Sequence, residues 1–333
     1  MSEPRLFRAS APVRLDFAGG WTDVAPFSER EGGAVVSAAI GLRAHAEFEP
    51  GKSGLLMLAE DLNQADRIAT PADLDRNEGL VLHRAALRML PPGAGTLRTR
   101  SDVPPGSGLG SSGAMDVALL AALAAARGDD YPPEELGALG FELEAREAGL
   151  PGGRQDQYSA AMGGFNRFTF QGDVVGIEPL TLDPAFLAEL ERRIVICYTG
   201  RSRVSGDTIA RVMGAYQRGD AGVTGALREL ASLAGAMARA LTGADLEDTA
   251  RLLSANWAAQ QRLDAGMATA EMLALESAVR AAGALGGKAA GAGAGGCMFF
   301  LAGGDVEAVR RAAGSAGATL LPTRWSSTGV TWC

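Results

Sequence analysis

Alternating apolar and polar positions from Leu6 to Phe17 predict a strand, with Arg14 and Asp16 on one face because they share its parity. The strand runs into Ala18-Gly19-Gly20-Trp21-Thr22-Asp23, where the glycine pair marks a bend or a close approach. Gly33 to Ala46, with Val35, Val36 and Ile40 apolar, predicts a further strand pair, and Thr96 to Val103 predicts a mostly polar strand. Between them, Gly51 to Asn77 is polar and rich in breakers and reads as a mobile flap, followed by a helix over Leu80 to Leu90. Helical spacing recurs over Gly113 to Ala126, Pro133 to Leu150 and Gln157 to Met162. A second half begins near Leu180. There Arg193 to Tyr198 reads as a buried strand, and helices follow over Gly206 to Gln217, Ala221 to Leu241, Asp245 to Asp264 and Thr269 to Ala282. A glycine-rich stretch, Lys288 to Gly296, then leads into a last strand, Cys297 to Leu301. The elements describe an α+β fold without internal repeats.

The densest chemistry lies where strand meets helix, at Val103 to Asp116 (VPPGSGLGSSGAMD). A glycine-rich turn feeding a helix gathers free N–H groups and the positive dipole end, a natural home for phosphate. Gly106, Gly108 and Gly110 let an anion press on the main chain, and Ser111 and Ser112 add hydroxyls for phosphate oxygens or magnesium. No Lys precedes the serines, so this is not a Walker A loop. Gly108, Gly110 and Gly113 match G-x-G-x-x-G literally, but the strand ahead is too polar for a dinucleotide fold. Asp129 and Asp130, at the spacing of a ribose-binding acid, sit in a turn before Pro132-Pro133. The stretch fits P-x-x-x-G-L-G-S-S position by position through Pro104, Gly108, Leu109, Gly110, Ser111 and Ser112.

Arg14, Asp16 and Asp23 around the glycine bend, with Trp21 beside them, suit polyol recognition, since carboxylates accept from hydroxyls and an indole offers a flat apolar face. A surface ion pair beside a core Trp is the alternative. Asp156, flanked by Gln155 and Gln157 after Pro151-Gly152-Gly153, is either a helix cap or a positioned carboxylate. The acids of Pro133 to Leu150 read mainly as a solvated face. His45 and His83 have no partner motif nearby. Arg201, Arg203 and Lys288 are candidates for contacts with a phosphorylated ligand, or ordinary surface charge.

At 333 residues, 47% apolar and 21% charged, the chain has ample core for one large or two ordinary domains. A net charge of −8 argues against a general nucleic-acid surface or an anionic membrane as partner. Three scattered cysteines give neither a disulfide frame nor a zinc site. A polar start, MSEPRLFRAS, and no membrane-length apolar run make the cytoplasm the expected compartment.

Five motifs in order carry a family resemblance over nearly the whole chain: Ala11 to Asp23, Pro104 to Ser112, Glu144 to Tyr158, Thr199 to Arg203 and Gly286 to Gly296. The chain resembles the GHMP sugar kinases, and within them the D-glycero-D-manno-heptose 7-phosphate kinases. Its first motif is also similar to that of L-fucokinases, with Trp21 where many heptose kinases carry a third glycine. Ala294 stands where the family often has glycine. The resemblance implies two α+β domains, 1–180 and 181–333, with the active site in the cleft between them. It implies an ATP- and magnesium-dependent kinase acting on the anomeric hydroxyl of a sugar or sugar phosphate. Pro105, Gly106, Ser107, Gly108, Leu109, Gly110, Ser111 and Ser112 would wrap the ATP phosphates, with Ser112 and Glu144 as magnesium ligands. Asp156 would be the catalytic acid group, with Arg14 beside it. Asp16, Gly19, Gly20, Trp21, Asp23 and Gly153 would join Asp156 around the sugar. A non-catalytic sugar or nucleotide sensor on the same fold is the alternative of another class.

Overall fold

The structure, a computed structural model, describes residues 5–76, 78–201 and 206–333. It opens with β1 (Phe7–Ala18), the short α1 (Phe27–Arg30) and β2 (Gly33–Pro50). The alternation of β1 holds at its start, but from Ala11 onward both faces are buried. Arg14 and Asp16 must therefore find partners inside the protein. The expected strand pair after Gly33 is instead one strand of 18 residues. It stays continuous along β1 by changing its other neighbour midway.

The stretch expected to be a mobile flap is a correction of the same kind. It supplies β3 (Leu55–Ala59) and β4 (Gln64–Ile68), with Met57 and Ala59 turned into the core. α2 (Val81–Met89) and β5 (Gly95–Ser101) follow, and β5 runs parallel to β3. α3 (Ser111–Arg127) begins two residues before its expected start, because Gly110 in the left-handed region serves as its N-cap. α4 (Pro133–Glu142) ends in a π-helical turn, Leu143–Glu147. α5 (Gln155–Met162) then leads into a hairpin, β6 (Phe165–Gln171) and β7 (Val174–Pro179). β6 pairs with the first part of β2, and β5 with its last part.

The second half contains α6 (Pro184–Arg193), β8 (Ile194–Tyr198), α7 (Gly206–Gln217), α8 (Ala221–Thr242), α9 (Leu246–Gln261) and α10 (Ala270–Ala281). It closes with β9 (Ala284–Ala289), β10 (Cys297–Ala302), α11 (Val306–Ser315), β11 (Thr319–Leu321) and β12 (Thr331–Trp332). A four-stranded antiparallel sheet runs in the order β11-β8-β10-β9. The end of the chain returns to the first sheet. Trp325 bridges to Ile40 and meets Phe165 edge-on at 4.8 Å between ring centroids, and β12 pairs with β1. α8 packs on β2 and α9 on β9, so helices of the second half reach both sheets. One continuous core runs from Phe48 and Leu120 through Met237 and Leu252 to Phe299. Among the described residues no helix is long and apolar enough to cross a membrane.

Candidate active site

The pairing of β1 with β2 slips twice, between Pro12 and Arg14 and between Asp16 and Ala18. Irregularities of this kind re-aim side chains, and these two flank Arg14 and Asp16, the strand's buried charges. Arg14 is 3% exposed. Its Nε and Nη2 donate to Asp156 Oδ1 at 2.8 and 2.6 Å, and its Nη1 donates to the Gly108 carbonyl at 2.6 Å. Its main-chain N–H donates to the Leu109 carbonyl at 2.8 Å. One arginine thus ties the glycine loop to Asp156. Burial works to lower its pKa, but Asp156 and Asp16 outweigh burial and hold it above the ordinary value, so the guanidinium keeps its charge.

Asp156 is not a helix cap. α5 begins at Gln155, its N-cap is Arg154, and the Asp156 carboxylate points to Arg14 from the first turn. α3 and α5 cross closely here. A Cβ on Gly113 would lie 2.6 Å from the Asp156 Cβ, so glycine is required at that crossing.

Gly106, Gly108 and Gly110 all have positive φ, and α3 begins without a side-chain cap. The first-turn N–H groups of a 17-residue helix are left for a ligand, which is the chemistry a phosphate chain needs. Pro105, Gly106, Gly108, Gly110, Ser111 and Ser112 line a cavity of about 540 Å³ that extends over Arg14, Glu144 and Asp156. Ser107 and Leu109, expected to touch nucleotide, are instead fully buried and off this wall. Their carbonyls accept from Cys297 and Arg14, so they shape the loop from behind.

Glu144 was expected in a regular helix but sits on the π-helical turn, a distortion that often marks function. Gln157 Nε2 donates to its Oε2 at 2.5 Å and to Asp116 Oδ2 at 3.5 Å. Desolvation, opposed by the Ser112 hydroxyl and reinforced by Asp156, pushes Glu144 up to about 7. Desolvation and the neighbouring Glu144 raise Asp116 well above the carboxylate range. The Oδ1 of Asp116 is buried without a hydrogen-bond partner. Among the described residues no group of three His, Cys, Asp or Glu side chains could hold a metal ion. Ser112 and Glu144 offer hard oxygens of the kind magnesium takes.

At the other side of Asp156 the wall is Trp21, Asp23, Val24, Gly153, Gln155 and Ile209. Asp23 is 2% exposed. Its Oδ2 accepts from the Gln155 N–H at 3.0 Å, and its Oδ1 from the Gln155 amide at 3.4 Å. A Cβ on Gly153 would fall 1.9 Å from that carboxylate, which is why glycine stands there. Desolvation raises Asp23 to about 6, against the Gln155 N–H that lowers it. Trp21 Nε1 and Gln155 Oε1 are buried without a hydrogen-bond partner, so this wall offers one donor and one acceptor to a polar ligand.

Three residues expected at the sugar lie off this wall. Asp16 bonds Lys288 and the Gly291 N–H. Gly19 and Gly20 are glycines for protein contacts, since their Cβ atoms would strike the Ala34 carbonyl and the Asp16 carboxylate. Lys288 is fully buried, neither surface charge nor a ligand contact. Arg201 is exposed and paired with Glu271, and Arg203 lies outside the described residues. His45 pairs with Asp102, and buried His83 bonds Thr99 on the cavity's opposite wall, beside Leu80, Val81 and Val103. Sequence reasoning missed Gln155, Gln157 and Asp116. The last carried a usable signal, as the one charge inside an Ala/Leu helix, four residues from Ser112.

Family models for the GHMP kinases N terminal domain and the GHMP kinases C terminal domain match residues 80–164 and 226–319. A D-glycero-alpha-D-manno-heptose 7-phosphate kinase of Campylobacter jejuni is 30% identical over 89% of both chains. The chain belongs to the GHMP kinases. It is therefore a phosphotransferase of the two-domain α+β GHMP fold, and kinases of this family use ATP. A bifunctional fucokinase/GDP-fucose pyrophosphorylase of Arabidopsis thaliana is 27% identical over 79% of this chain and 26% of its own length. Among solved structures, a D-glycero-D-manno-heptose 1-phosphate kinase from Bacteroides thetaiotaomicron superposes with a TM-score of 0.78 at 27% identity, covering 98% of each chain.

Proposed function

We propose that this GHMP kinase transfers the terminal phosphoryl group of ATP, with magnesium, to the anomeric (C1) hydroxyl of a sugar. D-glycero-D-manno-heptose 7-phosphate or a related sugar is the first choice of substrate, and a free hexose such as L-fucose the second. The reading divides the chain at 1–180 and 181–333 and places the enzyme in the cytoplasm. The observation that carries it is Asp156, held by Arg14, at the point where the glycine loop meets the pocket of Trp21, Asp23 and Gln155.

In this reading the first-turn N–H groups of α3 and the glycine loop hold the phosphates, and the base lies toward the apolar wall of Leu80, Val81 and Val103. Ser112 and Glu144 would hold magnesium, which would supply neutralisation of phosphate charge. Asp23 and Gln155 orient the sugar through its hydroxyls. Asp156 accepts from the attacking hydroxyl and takes its proton, and Arg14 stabilises the charge that builds nearby. Phosphoryl transfer passes through a loose transition state needing little base assistance, and an anomeric hydroxyl is more acidic than most alcohols. A carboxylate paired with arginine suffices.

Release of ADP tests this across D-glycero-D-manno-heptose 7-phosphate, its unphosphorylated form, L-fucose, galactose, mannose and mevalonate. The expected result is turnover on one sugar that disappears in Asp156→Ala. Nucleotide binding without turnover on any of them would favour the sensor reading, and preference for L-fucose would follow the Trp21 resemblance to fucokinases.

A further inference from the structure

Asp16 and Lys288 form a 2.7 Å ion pair with side chains 1% and 0% exposed, one on β1 and the other on β9 of the second sheet. Removing two charges from water costs about as much as their attraction returns, so stability alone is a weak reason for such a pair. Its geometry gives a better one. Lys288 Nζ donates to the Asp16 carbonyl at 2.8 Å as well as to Oδ2, which leaves Oδ1 to accept the Gly291 N–H at 2.9 Å. Gly291 opens the second glycine loop, whose back is pressed on the first. A Cβ on Gly291 would lie 2.5 Å from the Gly108 carbonyl, and one on Gly108 would lie 2.5 Å from the Ala290 carbonyl. Cys297 N–H donates to the Ser107 carbonyl at 2.7 Å, closing the other end of this contact. The Gly108 carbonyl is thus held between Gly291 and the Arg14 guanidinium that grips Asp156.

We propose that the Asp16–Lys288 pair is a positioning pair: through Gly291 it fixes the curvature of the phosphate loop, and its loss is read in nucleotide affinity. Neither residue lines the cavity, and both act through the main chain of residues that do. Any movement of Gly291 must be taken up by Gly108, since the two loops leave no room for a methyl group between them. The inference rests on the kinase reading only in naming the nucleotide as the ligand of that loop.

The test is the affinity of the full-length chain for the fluorescent nucleotide N-methylanthraniloyl-ATP, with KM for ATP and for the sugar acceptor measured alongside. Lys288→Met leaves the Asp16 carboxylate buried without its cation. It should weaken nucleotide binding roughly tenfold while the KM of the sugar stays within about twofold. Adding Asp16→Asn removes the stranded charge and keeps an oxygen for the Gly291 N–H, and should restore affinity to within about threefold of wild type. A purely structural pair would lower melting temperature without this split between nucleotide and sugar. If Lys288→Met does not fold, Asp16→Asn alone takes its place. Its amide must face either the lysine or the Gly291 N–H with a donor, and the same tenfold loss is expected. A folded single variant that binds the nucleotide within twofold of wild type, or a double variant no better than Lys288→Met, overturns the proposal. If the wild-type chain binds no nucleotide, the kinase reading falls and takes this inference with it.

Discussion

In the proposed mechanism each side chain at the centre of the site has a distinct task, and each task has its own signature in a variant. Asp156→Ala removes the group facing the attacking hydroxyl but leaves the phosphate loop intact. Turnover should fall about a thousandfold or more while nucleotide affinity changes little, a contrast that single-turnover and binding measurements separate. Arg14→Lys keeps the charge but not the fork that holds Asp156 and the Gly108 carbonyl together. A loss of about a hundredfold in kcat is expected even though the substitution conserves charge. The proposed role of Asp23 makes the sugar site sensitive to pH. With its carboxyl raised to about 6, it loses its charge and part of its acceptor capacity as the pH falls through 6. The KM for the sugar should climb about tenfold per pH unit below that point, and Asp23→Asn should flatten the profile. An unchanged wild-type profile between pH 5 and 7 would place Asp23 outside the sugar site.

Glycine loops and one distorted helical turn carry the chemistry at the level of elements. Gly108→Ala forces an L side chain into φ +78° and toward the Ala290 carbonyl. A loss of roughly 1–3 kcal/mol in stability and a larger loss of nucleotide affinity should follow, read by thermal melting and titration. The π-helical turn places Glu144 where desolvation pushes it up to about 7. Because this folded-state value lies above the ordinary 4.5, Glu144 contributes stability fully below pH 4.5 and loses that contribution as the pH rises through 7. Without magnesium, Glu144→Gln should therefore melt higher than wild type at pH 8 and no higher at pH 4. A difference that does not vary with pH would contradict the assignment. These elements also mark the limit of what was legible in the sequence. The strand carrying Arg14 and Asp16, the glycine loop and the helices of the second half were readable because period and punctuation are local. The flap that became β3 and β4 was not, because its polar residues face solvent and its strand partner, β5, lies some forty residues away. Asp16 and Lys288 were misread for the same reason. They are 272 residues apart, and only the fold makes them one buried pair.

Taken as a whole, the molecule brings its two sheets together so that residues from the first half build the site and the second half supports it. β1 supplies Arg14, α3 the phosphate cradle, the π-helical turn Glu144 and α5 Asp156. From the second half, Ile209 and Gly291 reach the cavity wall, and Asp16 joins that loop to the first. The cavity is therefore lined from both halves of the chain. The central claim is that the hydroxyl lying against Asp156 is the one phosphorylated and that it is anomeric. Phosphorus NMR of the product formed from ATP and the best sugar acceptor tests it most directly. The account predicts a sugar phosphate whose phosphorus couples to the anomeric proton, formed by wild type and not by Asp156→Ala. A newly transferred phosphate coupled to any other carbon's proton, or equal product from the Asp156→Ala variant, would contradict it.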